Sequence, residues 1–230
     1  MMPKKKSIAI IPARGGSKGI PHKNIAKICG KPMIAYTIEC AIKSRVFDRV
    51  IVSTDDNKIA AISKKYGAEI IKRPPELAQD STPTLPVLKH ALKILKKQNY
   101  EPDFVFLLQL TSPLRKADEI IKVSKLMETG KYASIIAVAD YPFKAPLIME
   151  KNNEVKFLNK SDLSKRRQDF GKLYKVTGSI YAYKTSSLLG MKKHVFETKV
   201  YGFKTSELTS IDIDTKEDLL IAEALIRNME

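Results

Sequence analysis

Short apolar runs and segments of helical periodicity take turns along most of this 230-residue chain, and that alternation limits the folds open to it. Residues 7–11 form an apolar run and residues 33–43 have helical spacing. Residues 50–53 are apolar again, and residues 56–65 return to the helical pattern. The same rhythm predicts strands at 69–71, 104–108 and 134–138, with helices at 84–97, just after Pro83, and at 117–128. Apolar strands joined by crossover helices call for a mainly parallel sheet with helices on both faces, so the expected class is α/β.

The rhythm breaks after Ala139. Residues 140–175 carry proline, asparagine and dense charge with little periodicity, and residues 178–183 then alternate like a strand. An inserted lobe over about 140–185 is expected within a single domain spanning 1–230. An apolar segment at 200–203 and an amphipathic helix at 216–227 restore the pattern. With 43% hydrophobic residues the chain can build one substantial core.

Several classes are disfavoured. No apolar stretch is long enough for a bilayer, and the Met2-Pro3-Lys4-Lys5-Lys6 start reads as a solvated leader without a signal-peptide core, so a cytoplasmic location is expected. Cys29 and Cys40 form no CxxC, and His22, His90 and His194 fall at no metal-ligand spacing, which argues against a disulfide framework or a zinc site. The net charge of +16 raises the possibility of a basic nucleic-acid-binding domain without catalysis. Yet the lysines are spread along predicted helices (Lys64, Lys65, Lys96, Lys97, Lys122, Lys125), as on solvated faces, and nucleic acid is not the expected partner. A positive field also attracts small anions.

The most informative chemistry lies in residues 11–24, Ile-Pro-Ala-Arg-Gly-Gly-Ser-Lys-Gly-Ile-Pro-His-Lys-Asn, between the first strand and a helix. Ligands of open α/β sheets sit beyond the carboxyl ends of strands, where glycines let backbone N–H groups approach phosphate oxygens. Arg14, Lys18 and Lys23 add three cations suited to a triphosphate. The spacing is neither G-x-G-x-x-G nor G-x-x-x-x-G-K-[ST].

This segment resembles the N-terminal signature of the CMP-N-acylneuraminate synthetases, also called acylneuraminate cytidylyltransferases, within the wider group of sugar-activating nucleotidyltransferases. The resemblance implies a Rossmann-like nucleotidyltransferase fold in which Arg14, Gly15, Ser17, Lys18, Lys23 and Asn24 contact CTP, with Lys18 and Lys23 near the leaving pyrophosphate. Arg73-Pro74-Pro75-Glu76 and Asp80-Ser81-Thr82-Pro83 are similar to the family's second nucleotide segment, implying cytosine recognition by Arg73 and a nucleotide contact from Ser81 or Thr82. Without the resemblance, a proline-rich turn with Ser81 or Thr82 capping the next helix serves equally.

Residues 107–115, Leu-Leu-Gln-Leu-Thr-Ser-Pro-Leu-Arg, resemble a third signature in which the glutamine, here Gln109, binds the acyl sugar; Leu110 stands where the family usually has proline. Tyr141-Pro142-Phe143-Lys144 and Arg166-Arg167-Gln168-Asp169 look like segments exchanged across a homodimer, implying that Lys144, Arg166 and Arg167 neutralise substrate charge. Read alone, that stretch is a charged solvated loop. Thr177-Gly178-Ser179-Ile180-Tyr181 corresponds to a family stretch more often written Asn-Gly-Ala-Ile-Tyr, with Tyr181 either lining the sugar pocket or serving as core.

Asp212 and Asp214 stand two residues apart in Ser-Ile-Asp-Ile-Asp-Thr, so an extended backbone places both carboxylates on one face, where they can meet a hard cation. Alternatively, Asp214 caps the helix that follows. The family reading makes them ligands of Mg²⁺. The implied reaction is attack by the anomeric hydroxyl of a sialic-acid-like nine-carbon keto acid on the α-phosphorus of CTP. Arg14, Lys18 and Lys23 would stabilise pyrophosphate, and Asp212 or a metal-bound water would accept the proton. Legionaminic, pseudaminic and keto-deoxy-octulosonic acids are the alternative acceptors.

Overall fold

The computed structural model describes residues 5–16, 23–141, 147–149, 155–157, 172–196 and 199–229. Ser7–Pro12 (β1) opens the sheet, and a two-residue hairpin pairs Lys27–Ile28 (β2) with Lys31–Pro32 (β3). The turn between them places both Cys29 and Gly30 at positive φ, as a tight hairpin requires. Then follow Met33–Ser44 (α1), Arg49–Thr54 (β4), Asn57–Lys65 (α2), Glu69–Lys72 (β5), Thr84–Lys97 (α3), Phe104–Leu107 (β6), Ala117–Glu128 (α4) and Ser134–Asp140 (β7). Leu147–Met149 (β8) and Val155–Phe157 (β9) form a separate antiparallel pair. Tyr174–Lys184 (β10), Thr185–Gly190 (α5), Val200–Lys204 (β11) and Lys216–Arg227 (α6) complete the fold.

The main sheet has seven strands in the order β11-β7-β10-β6-β1-β4-β5. β1 is parallel to β4 and β6, β4 to β5, and β7 to β11, while β10 runs antiparallel between β6 and β7. Successive side chains of a strand point to opposite faces, and the core divides accordingly. Ala9, Ile11, Val50, Val52, Phe104 and Phe106 pack with Ile34 and Ile38 of α1, Ile59 of α2, Ile120 and Val123 of α4 and Ile226 of α6. Ile8, Ile10, Ile51, Val105 and Leu107 pack on the other face with Leu85, Leu88, Leu92 and Leu95 of α3 and Leu188 of α5. The expected mainly parallel sheet with helices on both faces is therefore the observed architecture.

Two features differ from expectation. β10 lies in the range assigned to an inserted lobe, yet its buried residues 177–183 sit in the middle of the main sheet, because one backbone edge pairs with β6 and the other with β7 and both of its faces are covered. Within the lobe range, the β8-β9 pair stands outside that sheet. α5 is a six-residue helix that the periodicity did not signal, since it is too short to show a repeat. Lys144, Arg166 and Arg167 fall outside the described residues, as do Ser17 and Lys18. Among the described residues no helix is long and apolar enough to cross a membrane.

Candidate active site

From β1 the chain passes through α1 to β4 on one side, whereas β6, reached through α3, lies on the other. The strand order reverses between β1 and β6, and in open α/β sheets the ligand crevice lies beyond the carboxyl ends of the strands at such a point. A cavity of about 500 Å³ lies there. Pro12 and Arg14 line it after β1, Leu107, Gln109, Leu110 and Thr111 at and after β6, and Arg73 and Thr84 near β5 and α3. Lys23, Asn24, Asp212 and Asp214 complete the lining.

The loop after β1 is anchored through its backbone. Ala13 N–H donates to the Ser53 carbonyl at 2.9 Å and Gly15 N–H to Asp55 Oδ1 at 3.0 Å. A β-carbon at Gly15 would come 3.0 Å from both Cβ and Oδ2 of Asp56, so a larger residue would push the loop off this anchor. Asn24 Nδ2 donates to the Arg14 carbonyl at 2.6 Å, closing the loop across its far end. The Arg14 guanidinium forms an ion pair with Asp80. Arg73, 5% exposed, donates from Nη2 to the Ser53 carbonyl at 2.7 Å. Burial is the main force lowering the Arg73 pKa, with Arg14 adding to it and Asp55 opposing it.

Ser81 and Thr82 do not line the cavity; Thr84, the first residue of α3, does. Nor does either of them cap α3: the N-cap is Pro83, with no side-chain hydrogen bond, and the Thr82 hydroxyl reaches back to the Glu76 carbonyl at 3.4 Å. The proline-rich turn thus brings the next hydroxyl along to the crevice.

Asp212 and Asp214 flank Ile213, which is fully buried and pins the extended strip to the core. Ile213 N–H donates to the Thr111 carbonyl at 2.8 Å, so the strip is laid against the loop after β6. Both carboxylates face the same cavity. Asp214 is not the helix cap, because Thr215 fills that role with Asp218 in a reciprocal capping box. Instead, Lys23 Nζ lies 2.9 Å from Asp214 Oδ1 and 2.6 Å from the Ile213 carbonyl. Asp212 is open to solvent on one side, but crowding by protein raises its pKa above the ordinary carboxylate value, and the charge of Asp214 adds to this. A hydrogen bond with Thr111 and the charge of Lys23 act in the opposite direction.

Among the described residues no cluster of three or more His, Cys, Asp or Glu side chains is assembled for a metal. Two carboxylates at the edge of an open cleft fit Mg²⁺ better than a closed cage would, since this ion keeps waters and takes substrate phosphates as ligands.

On the opposite wall, Gln109 lies just past Leu108, which follows β6, and is half-buried. It abuts Gly178, which has φ +73° and lies where the register between β10 and β7 shifts. Tyr181 is 6% exposed and packs in the core with Tyr183 and Leu85; burial and then the charge of Asp212 push its hydroxyl pKa up to about 12. Its ring lies 5.9 Å from that of Phe196, a half-exposed aromatic that the sequence reading passed over. The other residues it missed are Asp55, Thr84 and Thr111, and only a place just beyond a strand or at a helix start could have marked them.

The fold and the cleft can be set beside known proteins. The family model described as cytidylyltransferase matches residues 8–229. The chain is 34% identical over 225 residues to the pseudaminic acid cytidylyltransferase of Campylobacter jejuni subsp. jejuni serotype O:2, covering 96% of this chain and 97% of that protein. It is 36% identical over 220 residues to the N-acylneuraminate cytidylyltransferase of Escherichia coli O18:K1:H7, covering 94% of this chain but 51% of that longer protein. Among solved structures it resembles a CMP:2-keto-3-deoxy-manno-octonic acid synthetase complexed with CTP, with a TM-score of 0.74 and 20% identity over 98% of this chain and 100% of the other. At that identity the likeness concerns the fold. The resemblance first read in the glycine loop and the motifs after it is borne out along nearly the whole length, and the chain belongs to the cytidylyltransferase family.

Proposed function

We propose that this protein transfers CMP from CTP to the anomeric hydroxyl of an acidic nine-carbon keto sugar, of the sialic or pseudaminic kind, and releases pyrophosphate. The observation that carries the reading is the division of one cleft into two chemical walls. Arg14, Lys23 and Arg73 supply cationic groups on the side of the glycine loop, while Gln109 presents an amide on the other, with Asp212 and Asp214 along the edge. Relatives of which this chain covers 97% and 51% are named for pseudaminic acid and for N-acylneuraminate respectively, which supports an acidic nonulosonic acceptor of either kind.

In this reading Arg14 and Lys23 stabilise the charge that gathers on the leaving pyrophosphate, with Lys18 and Ser17 from the same loop joining them. Arg73, held against Ser53, addresses the cytosine. Asp212 and Asp214 would hold Mg²⁺, which when bound offsets phosphate charge and aligns the nucleotide. Lys23, already on Asp214, is placed to follow that charge as CTP enters. Asp212 would also serve as acceptor for the proton of the attacking hydroxyl.

Lys144, Arg166 and Arg167 are proposed to reach the sugar of a neighbouring subunit in a homodimer. Exposed Tyr141, Leu173, Tyr174 and Val176 support that arrangement, because they are apolar side chains left open to solvent around the start of β10.

The test is pyrophosphate release from CTP and Mg²⁺ with sialic, pseudaminic, legionaminic and keto-deoxy-octulosonic acids, run for wild type, Asp212→Asn and Asp214→Asn. Turnover on a nine-carbon acid that falls by about 100-fold or more in either variant is the expected result. Failure of wild type on all four acids refutes the assignment.

A further inference from the structure

Arg115 closes the segment that begins at Leu107 and is only 4% exposed. Its three donors reach three different elements. Nη1 donates to Thr37 Oγ1 of α1 at 3.2 Å, Nη2 to the Gln109 carbonyl, and Nε to the Ser179 carbonyl of β10. Its own carbonyl accepts from Cys40 Sγ at 3.2 Å. Among the described residues no carboxylate lies within ion-pair distance of it, and Glu119 and Asp212 act on it only through space. Burial lowers its pKa to about 10, which still leaves a cation at neutral pH.

A buried guanidinium without a bound carboxylate is costly, and packing alone would favour an apolar side chain of similar volume. The geometry around it suggests what the charge and the rigid fork are for. Two of its acceptors, Gln109 and Ser179, bracket the contact in which Gln109 Oε1 lies so close to Gly178 that an added β-carbon would stand 2.5 Å away. On the strand side, the Thr177 and Ser179 hydroxyls hydrogen-bond each other at 2.8 Å, and Ser112 Oγ donates to the Thr177 carbonyl at 3.3 Å. The bulge is therefore braced internally, and Gln109 is held against it by its main chain. The Gln109 amide makes no hydrogen bond among the described residues and faces the cavity.

We propose that Arg115 is a positioning residue for the acidic sugar: it clamps the Gln109 main chain to the β10 bulge, so that the amide meets the acceptor, and leaves a positive charge without an ion-pair partner beside that subsite. The inference rests on the function proposed above. It separates the two halves of the cleft, because none of the acceptors of Arg115 belongs to the glycine loop or to the Arg73 anchor.

The experiment compares Arg115→Met, which removes both fork and charge, with Arg115→Lys, which keeps the charge, and with Thr37→Val, which removes one acceptor away from the cleft. KM for the sugar, KM for CTP, kcat and thermal midpoint are measured for each. Arg115→Met is expected to raise the sugar KM about tenfold or more while the CTP KM stays within about twofold, and Arg115→Lys to recover part of the loss. Thr37→Val should lower the midpoint without moving the sugar KM. If the two KM values of Arg115→Met move together or not at all, the inference is overturned, even though wild-type turnover stands. Should Arg115→Met not fold, Arg115→Lys carries the same expectation, a rise in sugar KM alone, and the same refutation. Absence of wild-type turnover on every acid removes the functional reading itself and this inference with it.

Discussion

Gly178 shows at single-residue scale how a small change would reach the chemistry. Its φ of +73° suits glycine, and the left-handed conformation costs an L-residue roughly 1–2 kcal/mol. A methyl group there would also drive Gln109 from its place. Gly178→Ala is therefore expected to raise the sugar KM about tenfold, with a smaller effect on the CTP KM, as steady-state kinetics can show. The sequence marked Gly178 and Gln109 separately, through two motifs about seventy residues apart, but nothing in either motif says that they touch. Their contact depends on β10 entering the sheet beside β6, which pairs Tyr181 with Leu107. Arg115 was legible only as the last letter of a motif, because burial and hydrogen bonding to main-chain carbonyls leave no trace in composition.

Elements were the most legible scale. α3, α4 and α6 begin and end where the apolar spacing predicts, since each has a sustained amphipathic repeat. The start of α6 carries a further consequence. Thr215 and Asp218 satisfy each other's backbone donors, and Asp218 Oδ2 also accepts from the Asp214 N–H at 3.0 Å. Thr215→Ala should cost about 1 kcal/mol, a fall of about 2–4 °C in a chain of this size, measurable by thermal unfolding. Because the same box steadies the backbone of Asp214, the variant should also need more Mg²⁺ for half-maximal turnover. The short and mixed elements were harder to read. α5 offers no full repeat, and β10 has an exposed start followed by a buried remainder, so only part of it alternated like a strand.

At the scale of the whole molecule, the two faces of one sheet bear different helix sets, and the cleft falls beyond the carboxyl ends of β1 and β6. The surface around the start of β10 exposes Tyr141, Leu173, Tyr174 and Val176 in the single chain. If it is covered by a second copy, sedimentation should return twice the 25.9 kDa chain mass, and Val176→Asp should shift the protein toward the monomer. A monomer at micromolar concentration would count against residues shared across subunits. The charge of +16 remains a property of the whole surface, spread along helices rather than gathered in one motif.

Periodicity determined the class of fold by itself, because a 2-residue or 3.6-residue repeat is imposed by local backbone geometry before any long-range contact forms. The glycine-and-cation loop and the Asp-Ile-Asp strip likewise stood out in the sequence, since the phosphate and metal recognition proposed for them need particular side chains at close sequence spacing. Tertiary structure alone decided which groups meet. It placed Lys23 on Asp214, Thr84 rather than Ser81 or Thr82 in the crevice, and Arg115 beneath Gln109. Such pairings depend on strand order and on burial, which are set by the packing of the whole chain.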